Sequence, residues 1–149
     1  LYIKKKDFKK ITYNYKKNSI HYQNKIKLFK GIKLLIRKLK KKYKIALFTS
    51  KDKFRTNFLL KKFNLKFDAV IAGNDVKRGK PHPEGLKKIM KKLSFKRKNI
   101  FYIGDTRFDY NCSKKAKIKY IHVNWGFEKI KNKDALIVNN LKELNKILL

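Results

Sequence analysis

The apolar positions change period repeatedly along the chain. In GIKLLIRKLKKKY, Ile32, Leu35, Ile36 and Leu39 fall at i, i+3, i+4 and i+7, one face of a helix. KIALFTS follows, a short apolar run ending in hydroxyl residues, the pattern of a buried strand. KFRTNFLLKKFN, with Phe54, Phe58 and Phe63, predicts a second helix, and FDAVIAG a second strand. After KPHPE, Leu86, Ile89, Met90 and Leu93 mark a third helix, with Pro83 suited to its first turn. NIFYIGD predicts a third strand. RFDYNCSKKAK predicts a helix with Phe108, Cys112 and Ala116 at helical spacing. KYIHVNWGF predicts a fourth strand, and LKELNKILL a closing helix.

Helices alternating with short, nearly all-apolar strands predict βαβ units, hence an α/β fold with a parallel sheet flanked by helices. A chain of 149 residues fits one domain, and 42% hydrophobic residues are enough to bury a core. In such sheets ligands bind at the carboxyl ends of the strands. Those ends are Thr49-Ser50, Gly73-Asn74-Asp75, Gly104-Asp105 and Asn124-Trp125-Gly126. Residues 1 to about 28 stand outside the alternation. They are mostly polar, with aromatics at Phe8, Tyr13 or Tyr15, and Tyr22, and predict one helix, or part of two, packed on something else.

Charge changes the picture less than its size suggests. The formal net charge is +33, from 43 Lys and Arg against 10 Asp and Glu, which invites a polyanionic partner. Only five of the basic residues are Arg, the side chain preferred for bidentate phosphate and base recognition. The lysines are scattered over the polar faces of amphipathic segments, as compositional drift produces, so no specific nucleic-acid partner is expected. No apolar run reaches the length of a membrane span. The single cysteine, Cys112, fits a reducing, cytoplasmic setting.

Against this excess of lysine, two carboxylates follow the third strand. Gly104 permits a sharp turn and close ligand approach. Asp105 and Asp109 lie four apart, on one side if a helix follows. Paired carboxylates at a strand end suit Mg²⁺; equally, Asp105 suits a helix N-cap and Asp109 a first-turn acid. Thr49 offers a hydroxyl at the first strand end, with a capping role as the alternative. Lys80 is held between Gly79 and Pro81 in RGKPHPEG, a rigid setting for an ammonium beside a phosphate. His82 and Cys112 read as structural residues.

KIALFTSK, VKRGKPHPEGL and IFYIGDTRFDYNCSKKA, in that order and each at a strand end, resemble motifs II, III and IV of the haloacid dehalogenase superfamily. Within it, the chain is most similar to the subgroup of phosphoglycolate phosphatases and β-phosphoglucomutases. The resemblance implies a Rossmann-like core over residues 29–149, preceded by the remnant of a helical cap over residues 1–28. It implies that Thr49 hydrogen-bonds the transferring phosphoryl group, with Ser50 beside the same turn. It implies that Lys80 neutralises charge between nucleophile and phosphate, and that Asp105 and Asp109 serve Mg²⁺ as ligands, Asp109 directly or through water.

One part of the family pattern is missing. The nucleophile and general acid/base are two aspartates of motif I, an apolar strand followed by Asp-x-Asp. Asp7, after three lysines, does not match it. The expectation is a longer protein truncated at its N-terminus, lacking the strand that normally lies between those ending at Thr49 and Asp105. The whole protein would be a Mg²⁺-dependent phosphatase of a small phosphorylated metabolite, acting through an aspartyl-phosphate. The 149 residues alone would be inactive and poorly stable. The alternatives are an inactive member serving as a binding or regulatory module and, less favoured, a basic nucleic-acid-binding protein.

Overall fold

The computed structural model describes residues 4–131 and 135–149. Helix α1 (Lys5–Tyr22) ends in a single 3₁₀ turn (Gln23–Lys25). Next come α2 (Ile32–Leu39), β1 (Ala46–Phe48), α3 (Lys53–Phe63), β2 (Ala69–Ile71) and α4 (Glu84–Leu93). The chain continues with β3 (Phe101–Gly104), α5 (Arg107–Ala116), β4 (Lys119–Val123), β5 (Leu136–Val138) and α6 (Leu141–Leu148). Strand β5 is additional to the four that the sequence pattern predicts. Its three residues are too few to show a period, so only pairing with β4 defines it.

The strands are all parallel, with helices on both faces, as the alternation predicts. They form two separate ladders, β1–β2 and β3–β4–β5. One apolar core spans both ladders: Phe48 and Ile71 from the first meet Leu86, Ile89, Cys112, Ala116 and Ile118, with Tyr102 of β3 against them. On the other face Leu35, Leu39, Leu144 and Leu148 pack on Ile121 and Val138.

Among the described residues β1 and β3 each pair with a strand on one side only, which leaves a seam between the two ladders. Thr49 N–H donates to Ile71 O, so Leu47 and Thr49 turn their peptide groups toward β2. By the alternation of a parallel ladder, Ala46 and Phe48 turn theirs to the opposite side. On β3, Phe101 is 47% exposed and Ile103 37%, although strands inside a doubly covered sheet bury such residues. Two edges without a strand partner are a cost that folds normally avoid.

Helix α1 touches the body through polar contacts. The buried Arg55 of α3 donates to Ser19 Oγ at 2.6 Å and lies over the Tyr15 ring. Lys62 reaches the carbonyls of Asn24 and Ile26. The inner face of α3 is Arg55 and Thr56; Phe54, one of its predicted markers, is 66% exposed. Among the described residues no helix is long and apolar enough to cross a membrane.

The scarce acids have a common task. Asp52, Asp68, Asp75, Glu84, Asp105, Asp109, Glu128 and Glu143 each accept at least one backbone N–H. Lysine can only donate, so it cannot replace an acid in these positions.

The seam predicts a pattern of amide exchange. In native-state hydrogen exchange, Ala46 and Phe48 amides should exchange about tenfold or more faster than those of Leu47 and Thr49. Equal protection along β1 would show that its outer edge is covered.

Candidate active site

The loop before α4 is built to present Lys80. Glu84 accepts from the N–H groups of Lys77 and Arg78, each at 3.0 Å, and its ammonium partner is Lys88. The Lys77 N–H, then Lys88, then the Arg78 N–H bring the Glu84 carboxyl down to about 2. His82 N–H closes a turn onto Gly79 O, and the Lys80–Pro81 peptide is cis. His82 is bonded within this loop: its Nδ1 accepts from Glu84 N–H and its carbonyl accepts from the Cys112 thiol. Burial pushes the Cys112 thiol up to about 11, which suits a core residue and not a nucleophile.

The Lys80 side chain is almost wholly buried. Its Nζ donates to Asp109 Oδ1 at 2.7 Å and to Phe48 O at 3.0 Å, above the rings of Phe48 and Tyr102. Phe48 O is one of the groups turned toward the seam, so the ammonium ties the end of β1 to α5 across it. Asp109 is buried and takes four donors. Oδ1 accepts from Lys80 and from Tyr102 OH at 2.6 Å; Oδ2 accepts from Thr106 Oγ1 at 2.6 Å and Thr106 N–H at 3.2 Å. Asp109 N–H in turn donates to Thr106 Oγ1, a reciprocal capping box at the start of α5. Thr106, and not Asp105, is the N-cap. Gly104 is required here, because a Cβ would overlap the Asp109 carboxylate.

Burial raises the Asp109 carboxyl, but the Lys80 charge and the hydrogen bonds from Lys80, Thr106 and Tyr102 outweigh it. The net shift is downward.

Asp105 faces different surroundings. Its Oδ2 accepts from Phe127 N–H at 2.9 Å, and its carbonyl accepts from Glu128 N–H at 3.0 Å. Gly126 lies against its side chain so closely that a Cβ would overlap it. Among the described residues no donor reaches Asp105 Oδ1. Thr49, at the end of β1, accepts from Lys51 N–H at 3.2 Å, which leaves the hydroxyl proton available to a ligand. Ser50 is exposed beside it, its carbonyl against Gly73.

The predicted residues therefore gather at one end of the two ladders, with divided roles. A divalent cation needs free carboxylate oxygens. Asp105 has one and would offer such an ion a single carboxylate. Asp109 has none, because donors occupy both of its oxygens. Among the described residues no group of three His, Cys, Asp or Glu is placed to hold a metal. Sequence reasoning missed Thr106 and Tyr102 as partners of Asp109. The T-x-x-D spacing of Thr106 and Asp109 carried a capping signal; Tyr102 carried none, because its reach depends on how β3 packs on α5.

The family model of haloacid dehalogenase-like hydrolases matches residues 2–123. The chain belongs to this family. Pyrophosphatase PpaX of Bacillus mycoides is 31% identical over 111 residues, 72% of this chain and 52% of that protein. The PpaX of Halalkalibacterium halodurans is 31% identical over 107 residues, 70% of this chain and 50% of the relative. The chain thus spans about half the length of these curated relatives. Among solved structures, a provisionally assigned haloacid dehalogenase-like hydrolase from Bacteroides fragilis superposes with TM-score 0.85 at 24% identity, covering 96% of this chain and 72% of that one. A provisionally assigned phosphoglycolate phosphatase from Lactobacillus delbrueckii gives TM-score 0.76 at 26% identity, over 88% and 59%. The fold of this hydrolase family is therefore kept here, with the two ladders standing apart.

The Lys80–Asp109 pair yields a stability prediction. Lys80→Met leaves a buried carboxylate unpaired and should destabilise the protein by about 3 kcal/mol at neutral pH, read from urea denaturation. Asp109 has a depressed folded pKa, so its contribution is full above the unfolded Asp value of about 4 and is lost as pH falls through the folded value. Asp109→Asn should remove that part of the acid-side loss. An unchanged pH slope in this variant would show that the pair does not govern acid stability.

Proposed function

We propose that this chain forms the phosphate- and metal-binding part of a Mg²⁺-dependent phosphate-monoester hydrolase. The observation that supports the reading is the reach of Lys80, which bonds Phe48 O, next to Thr49, and Asp109 of α5, the helix that follows Asp105. The nucleophilic aspartate of the family belongs on a strand filling the seam between the two ladders, carried by residues outside these 149. Residues 1–28 are read as the C-terminal part of the cap and residues 29–149 as the core.

Each residue then has a chemical task. The Thr49 hydroxyl donates to a phosphoryl oxygen, and exposed Ser50 sits beside it at the same turn. The Lys80 ammonium, fixed by Asp109, faces the position between nucleophile and phosphate and offsets charge there. A magnesium ion held by Asp105 would neutralise phosphoryl charge. Asp109 serves by orienting Lys80 and capping α5, not by touching the metal. The hydrogen bonds that close the 77–84 turn keep the ammonium from following the substrate, so its field is preorganised. The substrate class is a small phosphorylated metabolite; the phosphatase-named structural neighbours favour a phosphoglycolate-like monoester, and the PpaX relatives add pyrophosphate. A reducing, cytoplasmic setting suits the buried Cys112 thiol.

The test is a chimera in which the part of Bacillus mycoides PpaX N-terminal to its match with this chain is joined ahead of the matching residues. It should release phosphate from p-nitrophenyl phosphate only with Mg²⁺, and Asp105→Ala or Lys80→Ala should lower kcat by about 100-fold or more. The 149-residue chain alone should show no turnover. A well-folded chimera without activity would favour the reading of an inactive binding module; turnover by the 149 residues alone would overturn the need for an added strand.

A further inference from the structure

Behind Asp105 lies a buried polar chain that the proposed chemistry does not use. His122, on β4, is 0% exposed and pairs in register with Gly104, the residue before Asp105. Its Nε2 is 2.8 Å from Glu128 O, and its Nδ1 is 3.0 Å from the hydroxyl of Tyr120, itself 8% exposed. A carbonyl only accepts, so Nε2 carries a proton and donates to Glu128 O, while Nδ1 pairs with the Tyr120 hydroxyl. The same hydroxyl lies 3.4 Å from Thr106 O.

The chain ends on the arm that holds Asp105 from the loop after β4. Glu128, whose carbonyl His122 holds, gives its own N–H to Asp105 O; the preceding residue gives the Phe127 N–H to Asp105 Oδ2. A buried imidazole with both nitrogens bonded is a rigid spacer, since leaving either nitrogen unpaired costs its desolvation. A Val or Leu at position 122 is apolar and would offer no donor to Glu128 O.

We propose that His122 is a positioning residue for the Asp105 carboxylate, acting through the Glu128 carbonyl, with the Tyr120 hydroxyl holding the other ring nitrogen in place. The inference rests on Asp105 as the metal ligand of the proposed function; its geometric part stands independently of that role.

The experiment uses the 149-residue chain with His122→Leu, His122→Gln and Tyr120→Phe. Amide exchange is measured by NMR, and MgCl₂ titrations are followed by fluorescence of Trp125, the single tryptophan and the residue beside Gly126. His122→Leu should speed exchange of the Phe127 and Glu128 amides by about tenfold relative to Ile121 and Val123 in the same strand. His122→Gln, which restores a donor toward Glu128 O, should recover most of the protection. Tyr120→Phe, the mildest change, should give a smaller effect of the same sign, and it keeps the test open if His122→Leu fails to fold. The Mg²⁺ midpoint should rise in the order of the exchange effects. Exchange of Phe127 and Glu128 that is unchanged, or that moves only in step with β4, overturns the proposal. The expected exchange pattern without any Mg²⁺ response in the parent chain supports the positioning role and overturns the metal reading instead.

Discussion

The structure depends on one buried ion pair. Lys80 Nζ reaches Asp109 Oδ1 on α5 and Phe48 O at the end of β1, and so joins two ladders that share no backbone hydrogen bond across the seam. The apolar core common to both ladders supplies the cohesion, but it lies on one face and fixes no distance between strand edges. A charged group with two short, directional bonds does fix it. The arrangement is demanding, because each charge is taken out of water and removal of either partner strands the other, at about 3–5 kcal/mol. Tyr102 and Thr106 complete the solvation of Asp109, so that the carboxylate stays ionised despite its burial.

The same economy runs through the rest of the chain. A +33 protein has many donors and few acceptors. The described acids that remain in the body of the fold sit where a backbone N–H needs a carboxylate: at helix starts such as Asp52 and Asp109, at the 77–84 turn through Glu84, and at the loop after β4 through Glu128 and Asp105. Surface lysines vary without penalty, whereas an acid that closes a turn leaves an unpaired amide when lost. The charge excess is thus compatible with a conventional α/β core, and it needs no dedicated polyanion site to account for it.

The seam links fold and chemistry. The chain has the fold of the haloacid dehalogenase-like hydrolases, and β1 and β3 end next to Thr49 and Asp105. Lys80 sits at the same end, against an outward-facing carbonyl of β1. A strand placed in the gap would bring its own terminal residues between these three groups, which is where a phosphoryl acceptor belongs in the proposed reaction.

The sequence was sufficient for the alternation of helices and strands, because the apolar period is a local property and the buried strands are short and uniformly apolar. Motif order also singled out Thr49, Lys80, Asp105 and Asp109, because the order of short motifs can be read without the fold. The sequence misjudged the inner face of α3, where Arg55 is buried because it reaches Ser19 and Tyr15 on α1, a contact 36 residues away. It did not show β5, whose three residues become a strand only beside β4. Above all, spacing alone treated Asp105 and Asp109 as equals. The tertiary structure separates them: packing of β3 on α5 brings Tyr102 and Lys80 onto Asp109 and fills its oxygens, while the loop after β4 leaves Asp105 with one oxygen free. Sequence determines which groups are available; only the fold decides whose lone pairs are already taken.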